Sequence, residues 1–311
     1  MSYVHTFAGN PLDRGDAKRR DPDWLEQAAK APDSRYLLLH QLNVLVDALG
    51  GEPRLGWLKY DDLRWLEVDL PPVFLGLDEG GTPHFALDIS VIHDPNHELA
   101  LAQGFSFQES RGAAMGLSGA DTGILAQARA QLGWHQRHQF CSVCGERTRQ
   151  EKGGHQRKCD DCGAEHFPRT DPVAIMLIVD GDNCLLGQSH GPLVRIGMFS
   201  ALAGFIDQGE SIEEAVRRET FEEAGIRVGA VHYHSSQPWP FPSSLMIGCH
   251  GVASSSDIHM DEVEMHDVRW VHRDDVLAAL AGEHPTLKLP GEMAIAHHLI
   301  RAWARGEVDL A

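Results

Sequence analysis

No run of apolar residues in this chain is long enough to cross a bilayer. The most apolar stretch, YLLLHQLNVLVDALGG, is interrupted by His40, Gln41, Asn43 and Asp47, whereas a spanning helix needs about 20 consecutive apolar residues. The opening residues, MSYVHTFAGNPLDRGDAKRRD, lack the apolar core of a secretion signal. We therefore expect a cytoplasmic protein with no membrane partner. Positive charge is scarce: 27 Lys and Arg face 45 Asp and Glu, a formal net charge of −18. That excludes broad adhesion to nucleic acid or anionic lipid, and an anionic substrate needs local cations to enter. Low-complexity tracts and repeats are also absent. A chain of 311 residues, 42% hydrophobic and 23% charged, is long enough for two or three core-forming domains.

Cysteine is sparse but ordered. Four of the 6 cysteines stand at Cys141, Cys144, Cys159 and Cys162, as CSVC and CDDC. Two such pairs read as knuckles that complete a tetrahedral thiolate site for zinc. Two disulfides are the alternative, which a cytoplasmic setting disfavours. With four thiolates and no open position, the zinc is structural. Cys184 and Cys249 lie in apolar strand-like runs and read as buried thiols. Around the knuckles Arg147, Arg149, Lys152, Arg157, Lys158 and Arg169 are nearly balanced by Glu146, Glu151, Asp160, Asp161 and Glu165. That is a poor footprint for a phosphate backbone.

Before the knuckles the chain reads as mostly β, with RWLEVDL, PVFLGL and HFALDIS as strands. A helix, DTGILAQARAQLGWHQRH, then starts at a cap on Asp121 or Thr122 and carries His135 and His138 as surface residues. After the knuckles, strands are expected at PVAIMLIVD, CLLGQ, FSALAG, IRVGAVHYHSS, SLMIGCHGVA and VRWVH. Helices are expected at DDVLAAL and EMAIAHHLIRAWAR. Strands on both sides of a short helix suggest a mixed sheet between helices, and an α+β fold class overall.

That short helix lies in GFIDQGESIEEAVRRETFEEAGI, residues 204–226. Ser211 and Glu214 form a capping box, so the helix starts near Ile212; Gly225 is a C-cap that ends it at Ala224. Glu219 and Glu223 fall within about 20° of Ile212 on the helical wheel, on the stripe of Ala215 and Val216 that faces the protein. Phe221 gives the helix a second apolar side. Buried carboxylates resist joint ionisation, and a divalent cation with oxygen ligands resolves the conflict. A solvated acidic face is the alternative.

The same residues resemble the signature of Nudix hydrolases: Gly204, Glu210, Arg218, Glu219, Glu222, Glu223, Gly225 and Ile226, with Thr220 where an aliphatic residue is usual. The segment SQPWPFPSS, the preceding four-cysteine ribbon and LPGEMAIAHHLI are similar to the NADH pyrophosphatase branch. Across the chain the resemblance implies an N-terminal NADH-pyrophosphatase-like domain over 1–138, a zinc ribbon over 139–168 and a Nudix α/β/α sandwich over 169–311.

The resemblance also implies Mg²⁺- or Mn²⁺-dependent hydrolysis of the diphosphate of NAD(H) and removal of NAD caps from RNA, by a homodimer. Glu219, Glu223, Glu264 and the carbonyl of Ala203 would bind the catalytic metal, with Glu262 and Asp267 as competitors of Glu264. Arg218 would orient a carboxylate, and Glu222 or Glu264 would act as general base. Phe167, Phe205, Gln237, Pro238, Trp239, Pro240, Phe241, Pro242, Ser243, Ser244 and the backbone of Ala296 would contact substrate. Hydrolysis of another nucleoside diphosphate derivative such as ADP-ribose, and a zinc-ribbon RNA-binding or regulatory role, are the competing expectations.

Overall fold

The computed structural model describes residues 4–63, 70–95 and 104–310. The chain gathers into two compact units. The first is built from described residues between Thr6 and Thr170 together with Trp239–Ser243; the second is built mainly from Asp171–Pro238 and the chain from Ser244 onward.

In the first unit, β1 (Arg35–His40) and β2 (Asn43–Asp47) form a hairpin, closed by Gln41 and Leu42 at positive φ. The sheet continues through β3 (Arg54–Leu55), β4 (Trp57–Lys59), β5 (Val73–Leu77), β6 (Pro83–Asp88) and β7 (Phe105–Gln108). Its order is β3-β2-β1-β6-β5, with β4 on β1 and β7 on β2. The expected strands PVFLGL and HFALDIS appear as β5 and β6. Most of RWLEVDL, residues 64–69, lies outside the described residues.

Helix α1 (Gly119–Arg137) packs on β5 and β6. Its cap is Ser118, whose hydroxyl accepts from Asp121 N at 3.1 Å, not Asp121 or Thr122 as expected. Asp121 sits instead in the first turn, where its charge suits the helix dipole. Thr122 is buried and donates to the Gly119 carbonyl. The helix is covered on nearly every side from Thr122 to Ala128, so no clean amphipathic stripe marks it. His135 corrects a second expectation. It is buried, with Nε2 2.8 Å from Gly154 O and Nδ1 3.0 Å from Arg157, and burial pulls its pKa down to about 4. His138 is exposed, as expected.

The cysteine segment forms a small sheet of β8 (Thr148–Glu151), β9 (Gln156–Cys159) and β10 (Glu165–His166). Its two knuckles repeat one design. Gly145 N donates to Cys141 O and Gly163 N to Cys159 O, and both glycines have positive φ. None of the four cysteines is in a disulfide. All four sulfurs lie within 4.8 Å of one another, with Cys141–Cys162 at 3.6 Å and Cys144–Cys159 at 3.4 Å. Tetrahedral Zn–S bonds of about 2.3 Å set sulfurs at this kind of spacing. The thiols fit the ion.

In the second unit, β11 (Asp171–Asp180) is the central strand. It pairs parallel with β15 (Ser244–Ala253) and antiparallel with β12 (Asn183–Ser189) and β13 (Leu202–Phe205). Strand β14 (Val228–Trp239) lies on one edge and β16 (Met265–His272) on the other. Alternation along β11 feeds two cores. Ile175, Leu177 and Val179 face α4 (Ile295–Ala304), in a cluster that includes Val276 of α3 (Arg273–Leu280). Ala174, Met176 and Ile178 face Ala215 and Val216 of α2 (Ile212–Ala224). This is the expected mixed sheet between helices. Cys184 and Cys249 are fully buried in these cores. No helix among the described residues is long and apolar enough to cross a membrane.

The thiolate cluster generates a prediction. Protein purified without chelator should hold one zinc per chain that resists dialysis. Cys159→Ser should lose it and unfold the ribbon at much lower temperature, since structural zinc contributes about 10 kcal/mol or more in small domains. Elemental analysis showing no zinc in the unmodified protein would remove this reading.

Candidate active site

Helix α2 has the limits its local chemistry demands. Ser211 Oγ accepts from Glu214 N at 3.2 Å and Glu214 returns a bond to Ser211 N at 2.7 Å. Gly225 ends the helix at φ 70°. Ala215, Val216, Thr220, Glu223 and Ala224 are buried. Glu219 keeps only 12% of its side chain exposed. Phe221 is 52% exposed, so the second apolar side is not a packing face. Thr220 satisfies its buried hydroxyl on the Val216 carbonyl.

The glycine that opens the segment has a steric reason to be there. A Cβ on Gly204 would lie 1.9 Å from Cδ of Glu219. Strand β13 is thus pressed against the Glu219 carboxylate, and Ala203 is its neighbour on that strand. At the other end of the helix a Cβ on Gly225 would meet His259 at 2.6 Å. His259 N donates to Ala224 O and Asp261 N to Glu223 O. These bonds tie the loop before β16, which carries Glu264, to the end of α2.

Arg218 organises the acids. Its Nε and Nη2 form a fork on Glu210 at 2.6 and 2.8 Å. Nη1 reaches Glu219 at 2.8 Å and Glu222 at 2.9 Å, and Nη2 also donates to Phe205 O at 2.9 Å. The fork holds the Glu210 carboxyl down to about 2 and raises Arg218 above its ordinary value.

Glu223 receives no such help. It is 7% exposed, and its Oε2 is buried with no hydrogen-bond partner. Desolvation first, then repulsion from Glu219, Glu264 and Glu222, pushes its pKa up to about 8. Glu219 is raised in the same way, with Arg218 opposing. Glu264 therefore acts electrostatically on both helix carboxylates; neither Glu262 nor Asp267 is among the groups that do. Glu262 O is engaged by His190, and Asp267 pairs with Arg269. Among the described residues the cysteines are the side chains gathered into a metal-ligand cluster; the carboxylates are not drawn together in that way, as like charges without a counter-cation should not be. An orphaned buried oxygen amid hard oxygen donors fits a hard divalent cation.

The expected substrate residues separate into groups. Phe205 ends β13 and is 60% exposed; Phe167 in the first unit is 61% exposed. Gln237 is wholly buried, donates to Met293 O and accepts from Ile295 N, both at 2.8 Å. Its amide thus caps α4, whose N-cap Ala294 has no side-chain acceptor, and positions Ala296 just inside that helix. Pro238 and Ser244 are half-buried on β14 and β15. Trp239, Pro240, Phe241, Pro242 and Ser243 belong to the first unit. There Trp239 and Phe241 meet edge to face at 5.4 Å and Phe7 packs on both. Arg111 lies over both rings and Arg129 over Phe241. Neither arginine, nor Phe7, carries a motif that would have marked it in the sequence.

Known proteins were compared with the chain. The NUDIX domain profile matches residues 168–289, the NADH pyrophosphatase zinc ribbon profile matches 136–167, and the NADH pyrophosphatase-like rudimentary NUDIX profile matches 33–134. The chain is 38% identical to the NAD-capped RNA hydrolase NUDT12 of Homo sapiens, over 96% of this chain and 73% of that protein. It is 33% identical to an NAD-capped RNA hydrolase of Schizosaccharomyces pombe, over 96% and 92% of the two chains. It is 39% identical to the mitochondrial NAD(P)H pyrophosphatase NUDT13 of Homo sapiens, over 74% and 70%.

Two predictions follow from this geometry. Gly204→Ala displaces the Glu219 carboxylate and should weaken Mn²⁺ binding by about tenfold or more, as loss of ligand orientation does; calorimetry giving an unchanged affinity would sink the steric argument. The second concerns pH. In protein without the catalytic metal the Glu223 proton is held up to about pH 8, whereas an unfolded glutamate carboxyl releases it near 4.5. The raised pKa means that stability falls as pH rises through that window. Thermal unfolding of the zinc-loaded protein without added Mg²⁺ or Mn²⁺ should show this fall, Glu223→Gln should flatten it, and Mn²⁺ affinity should climb over the same range. The same pH slope in the variant would overturn the assignment.

Proposed function

The chain belongs to the Nudix hydrolase family, in the branch that carries an NADH pyrophosphatase-like domain and a zinc ribbon, and from that premise we propose a metal-dependent diphosphatase. It hydrolyses NAD(H) to nicotinamide mononucleotide and AMP, and it removes NAD from the 5′ end of RNA. The observation that carries this reading is the buried, partnerless oxygen of Glu223 beside Glu219 and Glu264. The names of its relatives support the substrates.

Glu219, Glu223 and Glu264, with the Ala203 carbonyl, would hold Mg²⁺ or Mn²⁺. Bound there, the ion neutralises the diphosphate and acidifies an attacking water. Arg218 holds Glu219 in its rotamer and keeps Glu222 alongside. Glu222 and Glu264 face solvent and are the proton acceptors open to that water. Phe205, exposed on β13 with its carbonyl fixed by Arg218, offers a flat face for nicotinamide or adenine. The resemblance adds Phe167 and the loop from Pro238 to Ser244 as further substrate contacts, while Gln237 serves by placing the Ala296 backbone. The same reading includes a homodimer; exposed Phe140 and Val143 in the ribbon segment are apolar surface of the kind a partner covers.

Chromatography of the products formed from NADH and Mn²⁺ tests the proposal. Reduced nicotinamide mononucleotide and AMP are expected; free nicotinamide, or an uncut dinucleotide, would refute it. Glu223→Gln should lower kcat by at least about two orders of magnitude, roughly 2.7 kcal/mol of barrier. Glu213→Gln, on the outer face of α2, should be nearly silent.

A further inference from the structure

Three arginines of the first unit converge on the aromatic loop. The Arg111 guanidinium sits 5.1 Å from the Trp239 ring centre and 4.7 Å from that of Phe241; Arg129 sits 4.3 Å from Phe241. Arg129 and Arg137 line a cavity of about 270 Å³ together with Leu42, Gln136, Phe241 and Pro242, and Arg111 reaches the same Phe241 ring. In a chain of net charge −18, none of the three has an ion pair among the described residues. Arg111 has no side-chain hydrogen bond there. Arg129 donates through Nη1 to Pro240 O, and its Nε is buried without a partner. Arg137 uses only Nε, on Gly133 O at 2.8 Å.

The neighbouring acids are already engaged. Glu109 accepts from Arg111 N at 2.9 Å and Gly112 N at 2.7 Å, capping the short helix Ser110–Ala113. Asp88 accepts from Gln136 and Ser90. Burial lowers the Arg129 pKa, the charge of Glu109 opposes that shift, and Arg111 and Arg137 add to it, so the three arginines share one nearby acid whose oxygens already cap the short helix. Stacking occupies the face of a guanidinium and leaves its in-plane N–H edge free, the edge that matches phosphate oxygens.

We infer that Arg111, Arg129 and Arg137, with Phe241, form a subsite for the phosphodiester backbone of an RNA joined to the dinucleotide. Cations lie beside flat rings at this site, the pairing that single-stranded nucleic acid favours. The cavity is small, on the scale of phosphate and ribose rather than of a whole dinucleotide. The inference rests on the diphosphatase reading and adds to it, in Arg137, a determinant that NADH does not use.

The test uses the full Mn²⁺-loaded protein and two substrates, NADH and a ten-nucleotide RNA with NAD at its 5′ end. Arg137→Gln should leave NADH hydrolysis within twofold. It should lower kcat/KM on the capped RNA about fivefold or more, through KM, and make the dependence on salt shallower by about one phosphate contact. Arg137→Lys should keep most of the effect of charge. Equal losses on both substrates, or no loss on the RNA, would overturn the inference. If the unmodified enzyme cuts NADH but not the capped RNA, the subsite is refuted and the diphosphatase stands. If neither substrate is cut, the diphosphatase reading fails, and fluorescence anisotropy with the same RNA lacking NAD decides the subsite by itself. Weaker binding by Arg137→Gln supports it, and equal binding refutes it. A site for free phosphate alone would show as phosphate-dependent thermal stabilisation lost in Arg137→Gln with RNA kinetics unchanged, which would also overturn the proposal.

Discussion

The structure around α2 depends on one conflict, carboxylates placed where water cannot stabilise them. Glu219 and Glu223 occupy the stripe of the helix that packs against the sheet. A buried unpaired carboxylate is strongly unfavourable, and two beside each other repel. Arg218 resolves half of the conflict: its fork on Glu210 and its bonds to Glu219 and Glu222 spread one positive charge over three acids. Glu223 is left with an oxygen that has no partner. What remains is a negative, partly dehydrated cluster that a hard dication satisfies and an ordinary side chain does not.

The surrounding backbone makes that arrangement possible. The segment 204–225 has glycine at both ends for different reasons. Gly204 is small because Glu219 lies against it; Gly225 is small because the chain turns left-handed under His259. The bonds from His259 and Asp261 to the last turn of α2 bring in the loop that holds Glu264. The carboxylates thus come from two chain segments but share one rigid support. Pre-organisation of this kind is what lets a metal site hold geometry without large rearrangement.

Arginine plays two roles in an acidic chain. At Arg218 it is saturated with carboxylates. At Arg111 and Arg129 it is stacked on aromatic rings of the 239–243 segment, with Glu109 acting on both from nearby. The overall charge of −18 therefore says little about either place. Net charge is a sum, while binding responds to the few groups within a Debye length.

The limits of α2, the side on which its carboxylates lie and the pairing of four cysteines were legible in the amino-acid order because each is set by local rules: capping within three residues, 3.6 residues per turn, and knuckle spacing. The strands of the second unit were legible from their apolar runs. Other features depended on residues far apart in the chain. The role of Gln237 as the cap of α4 needed a partner 58 positions away. His135 looked like a surface residue until Gly154 and Arg157 closed over it. The resemblance already puts Glu264 ahead of Glu262 and Asp267, and the fold adds its electrostatic influence on the helix carboxylates. Only the fold gathered Arg111, Arg129 and Arg137 at one loop, because side-chain proximity across a hundred residues leaves no period, spacing or cap in the sequence.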